Sequence, residues 1–208
     1  MRTRIKFCGC TSVDDIDMSV EAGADAVGFI FASSPRAITF EALRRMAPHL
    51  PPFIAPIGVF VNPAHEEVTR ARSYVPNLIP QLSGGEGSAF CGSLGGQTIK
   101  TVHVGEQTGA VHIEAAAKEF ANAVLLFDTR TQVLGGSGVT FAWEKIAGIS
   151  ANRSIIVGGG LTPSNVGECI RQVRPYAVDV RSGVETSGKK DSRKMRAFVQ
   201  SVREADET

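Results

Sequence analysis

The chain has 208 residues, 43% of them hydrophobic and 21% charged, with a formal net charge of +1. That length suits one domain with a sizeable core and is short for two, so a single domain over residues 1–208 is expected. The near-zero charge excludes the basic footprint of a nucleic-acid or membrane-surface protein, and no apolar run reaches signal-peptide or membrane-spanning length, so a soluble cytoplasmic protein is expected.

Short apolar runs alternate with helical patterns along the chain. Residues 3–8 read as a strand and 12–23 as a helix, with Ser12 or Asp14 to cap its start and Gly23 to end it. A strand over 25–31 precedes a helix from Phe40 that should stop near Pro48. A third strand over 53–61 contains Pro56 early, and the helix over 63–75 starts on a proline, where a missing N–H costs nothing. A strand over 77–82 leads into a weak, glycine-damaged helix over 86–94. Strands over 97–104 and 123–128 flank a good helix over 111–121. A helix over 141–149, a strand running into glycines over 153–160, a helix over 162–173, a strand over 176–180 and a closing helix over 191–205 complete the chain. Glycine-rich 82–97 has the composition of a linker, but its place in the alternation makes it a loose fourth unit.

The strands are mostly apolar throughout, as in a parallel sheet covered by helices on its outer face. Eight right-handed strand–helix units can close into a (β/α)8 barrel, and 208/8 leaves about 26 residues per unit. A doubly wound open sheet is the competing fold. Its phosphate loop would normally follow the first strand, whereas the densest glycines here follow the seventh.

The four cysteines are Cys8, Cys10, Cys91 and Cys169, too few and too scattered for a disulfide framework. Cys8 and Cys10 lack the second pair a structural metal needs and the spacing of a redox pair, and the four histidines form no ligand motif. Neither a metal nor a cofactor is expected.

In such a barrel, chemistry gathers at the C-terminal ends of the strands. Those ends carry Cys8, Arg36, Asn62, Gln81, Ser83, Asp128, the glycines 158–160, Asp179, and Arg181 to Gly183. Glycine allows backbone N–H groups to converge on an anion. Gly159 and Gly160 after the seventh strand and Ser182 and Gly183 after the eighth are therefore the expected phosphate cradle. A free cysteine is ordinarily a small inert hydrophobe, but a thiolate at the barrel mouth can act as a base or nucleophile. Asp128 could merely cap a turn. An apolar wall and a nearby substrate anion would instead keep it protonated, as an acid must be. Arg36 has the fork that a bound carboxylate needs.

These pieces together resemble the phosphoribosylanthranilate isomerase family of tryptophan biosynthesis. The carriers are IKFCG, GADAVGFIF with SSPR, GVFVN, PQL followed by a glycine and Glu86, LLFDT with GGSG and F-x-W, GGGLTPSNV, VDVRSGVE and GKKD, in the family's order. Two departures stand out. The family usually has histidine where this chain has Ser83, and a small polar residue is common where it has Arg181. The resemblance implies an Amadori rearrangement of N-(5-phosphoribosyl)anthranilate, with Asp128 as general acid and Cys8 as general base. It also implies Arg36, Gln81, Ser83 and Asp179 as substrate contacts, a small phosphosugar substrate, and a monomer or homodimer. Cys10 is then incidental. A related isomerase of histidine synthesis would pair two aspartates at the ends of strands one and five, which this chain lacks. A barrel that binds phosphosugars without catalysis is the reading from another class.

Overall fold

The computed structural model describes residues 2–129 and 140–207. The GGSG segment over 135–138 lies outside the described residues. Eight parallel strands close into a barrel in chain order, β8 pairing back onto β1. They are β1 (Arg4–Cys8), β2 (Ala26–Ile30), β3 (Ala55–Phe60), β4 (Ile79–Leu82), β5 (Ile99–Val104), β6 (Val124–Thr129), β7 (Ile155–Val157) and β8 (Ala177–Val180). Among the described residues eight helices cover them: α1 (Val13–Ala22), α2 (Phe40–Met46), α3 (His65–Tyr74), α4 (Ser88–Ser93), α5 (Ala110–Glu119), α6 (Glu144–Ser150), α7 (Val166–Val173) and α8 (Ser192–Asp206). None of these helices is long and apolar enough to cross a membrane.

The alternation expected from the sequence is the alternation found, and the differences have local causes. Ser12 caps α1 by accepting from the Asp15 N–H, and Gly23 ends that helix in the left-handed region at φ 101°. Past Met46 the chain tightens into a 3-10 turn over Ala47–His49. Pro63 lies before α3 rather than at its first position. Ala64 is extended there, and Glu67 folds back to accept its N–H at 2.9 Å. Phe53 is 96% exposed in the turn before β3 instead of opening the strand. Pro56 and Pro80 do sit inside strands, opposite Val27 and Gly58, and each forgoes one ladder hydrogen bond. Strand β7 is shorter than expected: the Gly158 N–H still donates to the Phe127 carbonyl at 2.8 Å, and the chain then turns away through Gly159 and Gly160 at positive φ. Helix α7 starts late because Asn165 ties that turn down, accepting from the Thr162 N–H at 2.8 Å and donating to the Gly160 carbonyl at 3.1 Å. The insertion after β8 has no signature in the sequence. A 3-10 turn (Ser182–Val184) runs into an antiparallel pair of two-residue strands, β9 (Glu185–Thr186) and β10 (Lys189–Lys190).

The strand pleat sends alternate side chains to opposite faces. Outward residues, among them the fully buried Phe7, Phe29, Phe60 and Phe127, form the main core against the helices. Each such ring contributes roughly 1.5–3 kcal/mol by leaving water. Inward residues Ile57, Ile99, Leu126, Ile156 and Ala177 fill the lower barrel. The ends of the chain meet beneath them: Asp206 accepts from the Thr3 N–H at 2.8 Å and from the Thr3 hydroxyl at 2.6 Å.

A buried ion pair sets the loops after β3 and β4. The Lys100 ammonium reaches Glu86 at 2.7 Å and the Gly84 carbonyl at 2.6 Å. The same carboxylate accepts the N–H groups of Asn62 at 2.6 Å and Gly84 at 2.9 Å. Breaking such a pair strands a buried charge, whereas replacing both partners does not. Glu86→Ala is therefore expected to lower unfolding stability by about 3–5 kcal/mol in a urea titration, and Glu86→Leu/Lys100→Met by clearly less.

Candidate active site

The same alternation decides what faces the barrel mouth. Lys6 and Cys8 point inward from β1, as do Gln81 and Thr101 on β4 and β5, Asp128 on β6 and Asp179 on β8, since their strand neighbours belong to the helix-side core. A small apolar patch of Cys8, Ile30 and Val59, with Ala32 against it, forms one wall of the mouth. Cys10 turns the other way. It is fully buried in the helix-side core, its sulfur 3.8 Å from the Phe7 carbonyl and the Ser19 hydroxyl, and burial pushes its thiol up to about 12.

Cys8 is buried at the end of β1, opposite Gly28 of β2. A side chain at Gly28 would put its Cβ 2.9 Å from the Cys8 sulfur and 3.1 Å from Lys6 Cε. The missing side chain is what gives both groups room. Burial raises the Cys8 thiol above its ordinary value, and the Lys6 ammonium opposes that rise. Asp128 is the penultimate residue of β6, opposite His103 of β5. Its carboxyl is raised first by burial and then by Asp179, with His103 and Arg181 pulling it back. Both shifts favour neutral forms in a water-poor mouth.

The other expected contacts occupy distinct places. The Ser83 hydroxyl lies 2.8 Å from that of Thr101, and the Gln81 amide NH2 donates toward both at 3.4 and 3.3 Å. The Gln81 Oε1 is buried without a partner among the described residues. Asp179 accepts a hydrogen bond from the Lys6 ammonium at 2.9 Å, so one of its oxygens is already engaged inside the protein. Arg36 lies in the loop after β2 and pairs through Nη2 with Glu185 of β9 at 2.5 Å, while its Nε is buried and unpartnered among the described residues. The turn after β7 has Gly159 and Gly160 at φ 80° and 68°, a conformation that favours glycine. A Cβ on Gly159 would meet the Thr129 amide at 2.3 Å, and one on Gly183 would run into the Leu161 carbonyl. The two loops thus touch backbone to backbone. The N–H groups of Gly159, Gly160, Ser182 and Gly183 have no acceptor among the described residues. No group of three His, Cys, Asp or Glu side chains that could hold a metal converges among them.

Sequence reasoning passed over four side chains at this mouth. Lys6 was hidden because a lysine in a strand reads as a solvated position; its signal is the two-residue offset from Cys8. His103, at the end of β5, hydrogen-bonds the Ser83 carbonyl at 3.1 Å. Glu185 and Lys190 of the hairpin carry no periodic signal. Lys190 donates to the Cys8 carbonyl at 2.6 Å, to that of Arg181 at 3.3 Å and to Glu185 at 3.2 Å.

A closed parallel barrel whose mouth gathers a thiol, carboxyls and two glycine turns defines a (β/α)8-barrel enzyme of the phosphosugar isomerase class. The chain belongs to the N-(5'-phosphoribosyl)anthranilate isomerase family: the family's sequence pattern, described as N-(5'phosphoribosyl)anthranilate (PRA) isomerase, matches residues 5–201. The relative of that name from Methylibium petroleiphilum is 41% identical over 210 residues, covering 99% of this chain and 96% of the relative. Phosphoribosyl anthranilate isomerase from Thermotoga maritima superimposes with a TM-score of 0.88 at 40% identity, covering 97% of this chain and 99% of that one. A phosphoribosyl anthranilate isomerase in complex with reduced 1-(o-carboxyphenylamino)-1-deoxyribulose 5-phosphate superimposes with a TM-score of 0.85 at 37% identity, with the same coverage.

The crowding at Gly28 makes a test of the mouth's packing. Gly28→Ala must displace the Cys8 backbone or sulfur and the Lys6 stem, and overpacking of this kind costs about 1–3 kcal/mol. Urea unfolding is expected to show that loss, together with altered reactivity of Cys8 toward iodoacetamide.

Proposed function

We propose that the chain converts N-(5-phosphoribosyl)anthranilate into 1-(2-carboxyphenylamino)-1-deoxyribulose 5-phosphate, the isomerase step of tryptophan biosynthesis, with Asp128 as acid and Cys8 as base. The observation that carries the mechanism is the pairing of an inward thiol on β1 with an inward carboxyl on β6 that burial holds toward its protonated form. Asp128 gives its proton to the furanose ring oxygen, and the bond from that oxygen to C1 breaks. The anthranilate nitrogen supplies the electron pair that makes C1=N. The Cys8 thiolate takes the proton from C2, the C–H electrons form C1=C2, and the C=N pair returns to nitrogen. The resulting enolamine gives the ketone once its C2 hydroxyl loses a proton and C1 gains one. No electrons enter or leave overall.

The binding groups are read in the same way. The Gly159, Gly160, Ser182 and Gly183 amides are the phosphate cradle, supported by N–H groups without an acceptor among the described residues and by the contact between the two loops. Arg36 takes the anthranilate carboxylate, supported by its buried Nε, which has no partner among the described residues. Gln81, Ser83 and Asp179 contact the sugar or ring, and the Ser83 hydroxyl is already held 2.8 Å from that of Thr101.

A turnover assay following loss of phosphoribosylanthranilate fluorescence tests the whole reading, and absence of turnover would leave only a binding barrel. Within that assay, Cys8→Ser and Asp128→Asn are each expected to lower kcat by about 10²–10⁴-fold while product still binds. Cys10→Ser, altered in the helix-side core, should stay within about twofold, which is small against those losses. Full activity in Cys8→Ser would remove the thiol from the mechanism.

Arg36→Ala is expected to raise KM about ten- to hundredfold with a smaller change in kcat, the loss of a charge-assisted pair of roughly 1.5–3 kcal/mol. An unchanged KM would take Arg36 out of the site.

The active form needs Cys8 ionised while Asp128 is protonated, yet burial raises both and a thiol ordinarily ionises well above a carboxyl. That form is the minority one in the free protein. The pH profile of kcat/KM is expected to be a bell, with an acidic limb at the Asp128 pKa and an alkaline limb at the Cys8 pKa. Asp128→Asn should abolish the alkaline limb in what activity remains, leaving a rate that climbs with pH up to the Cys8 pKa.

A further inference from the structure

We propose that Lys6 is a positioning residue for the reaction: its buried ammonium, anchored on Asp179, stands beside the Cys8 sulfur and favours its thiolate. This rests on the reading of Cys8 as the base. Lys6 and Cys8 are two residues apart on β1 and so point into the barrel together. Lys6 is 3% exposed, and a lysine so buried needs an anionic partner to keep its charge. The barrel supplies one directly across the ladder, where Asp179 of β8 pairs with Lys6 in register and its carboxylate takes the ammonium at 2.9 Å. An ammonium has three N–H donors, and Asp179 occupies one. The stem of Lys6 and the sulfur of Cys8 then crowd the same point above Gly28.

The other charges facing Cys8 are otherwise engaged. From the hairpin, Lys190 spends its three donors on the carbonyls of Cys8 and Arg181 and on Glu185. Arg36, in the loop after β2, is paired with Glu185. Arg181, after β8, has its side-chain stem packed near Gly9 and its charge acting on Asp128 across the mouth. Asp179 works against the thiolate but secures Lys6. Strand β2 itself brings only Gly28 and Ile30 to this side.

Electrostatics agrees with the placement. Burial alone would lower the Lys6 pKa, yet Asp179 and Cys8 together raise it above an ordinary lysine. Among the groups that lower the Cys8 thiol against its burial, Lys6 is the strongest. Lys6 keeps its proton throughout turnover. The C2 proton goes to sulfur, and the ammonium stabilises the thiolate before that transfer and again once the thiol has given the proton up.

The test is the pH dependence of iodoacetamide alkylation at Cys8, followed by mass spectrometry of the peptide carrying Cys8, in the unmodified chain, Lys6→Met and Lys6→Met/Asp179→Asn. The Cys8 midpoint is expected to rise by about one to three pH units in Lys6→Met, the effect of deleting a cation beside an anion. It should also rise in the double variant, which removes both buried charges and decides the matter if Lys6→Met fails to give a native circular dichroism spectrum. Lys6→Arg, which keeps the cation, should restore the midpoint to near its original value. In turnover, kcat should fall with KM for substrate little changed. A Cys8 midpoint that stays put in a folded charge-deleted variant overturns the proposal. If Cys8→Ser is fully active while the midpoint still shifts in Lys6→Met, the base assignment fails and the Lys6–Cys8 coupling stands.

Discussion

Each strand of the barrel pleats with its neighbours, and because the ladder closes through β1 and β8, all inward side chains share one narrow interior. An open sheet could leave half of those side chains to solvent. Here an inward charge has to find its counter-charge across the barrel, within hydrogen-bonding reach, or be expelled. Lys6 and Asp179 meet that demand on adjoining strands, and the apolar layer of Ile57, Ile99, Leu126 and Ile156 beneath them closes off the base. The upper end of the interior is thereby left polar, crowded and poor in water, which is the setting in which thiol and carboxyl pKa values move.

Much of this was legible in the sequence, for a physical reason. Strand and helix periods differ, so eight alternations announced eight units, and the C-terminal ends of those units pointed to Cys8, Asp128 and the glycine turns before any coordinates. What stayed hidden depends on pairings without a local signature. The Arg36–Glu185 contact joins positions 149 residues apart. The hairpin of β9 and β10 has strands of two residues, too short to carry a period. The late start of α7 follows from one side chain, Asn165, whose preference for tying down a turn outweighed the helical pattern around it. Lys6 drew no reading of its own, because the sequence does not say which face of a strand is enclosed.

The hairpin also shows how the mouth is kept in one arrangement. The Glu185 carboxylate lies between Arg36 and Lys190, and its own carbonyl takes the Lys194 ammonium at 2.7 Å. Lys190 in turn grips the Cys8 and Arg181 carbonyls. One short insertion after β8 therefore ties together the loops after β1, β2 and β8. The group proposed to hold the carboxylate, the backbone of the proposed base and the edge of the proposed phosphate cradle are referenced to a single carboxylate rather than to three independent loops.

At the opposite end, the hydrogen bonds from Thr3 to Asp206 bring the first strand and the last helix side by side. The barrel is a ring in space even though the polypeptide is a line. Nothing in the packing marks β1 as first: its two ladder partners, β2 and β8, hold it just as any other strand is held. A short linker joining residues near 3 and 206, with new ends cut into an exposed turn at the base, would leave every inward contact in register. The order in which the eight units are written along the chain is thus a property of the gene, while the geometry of the mouth belongs to the closed ring.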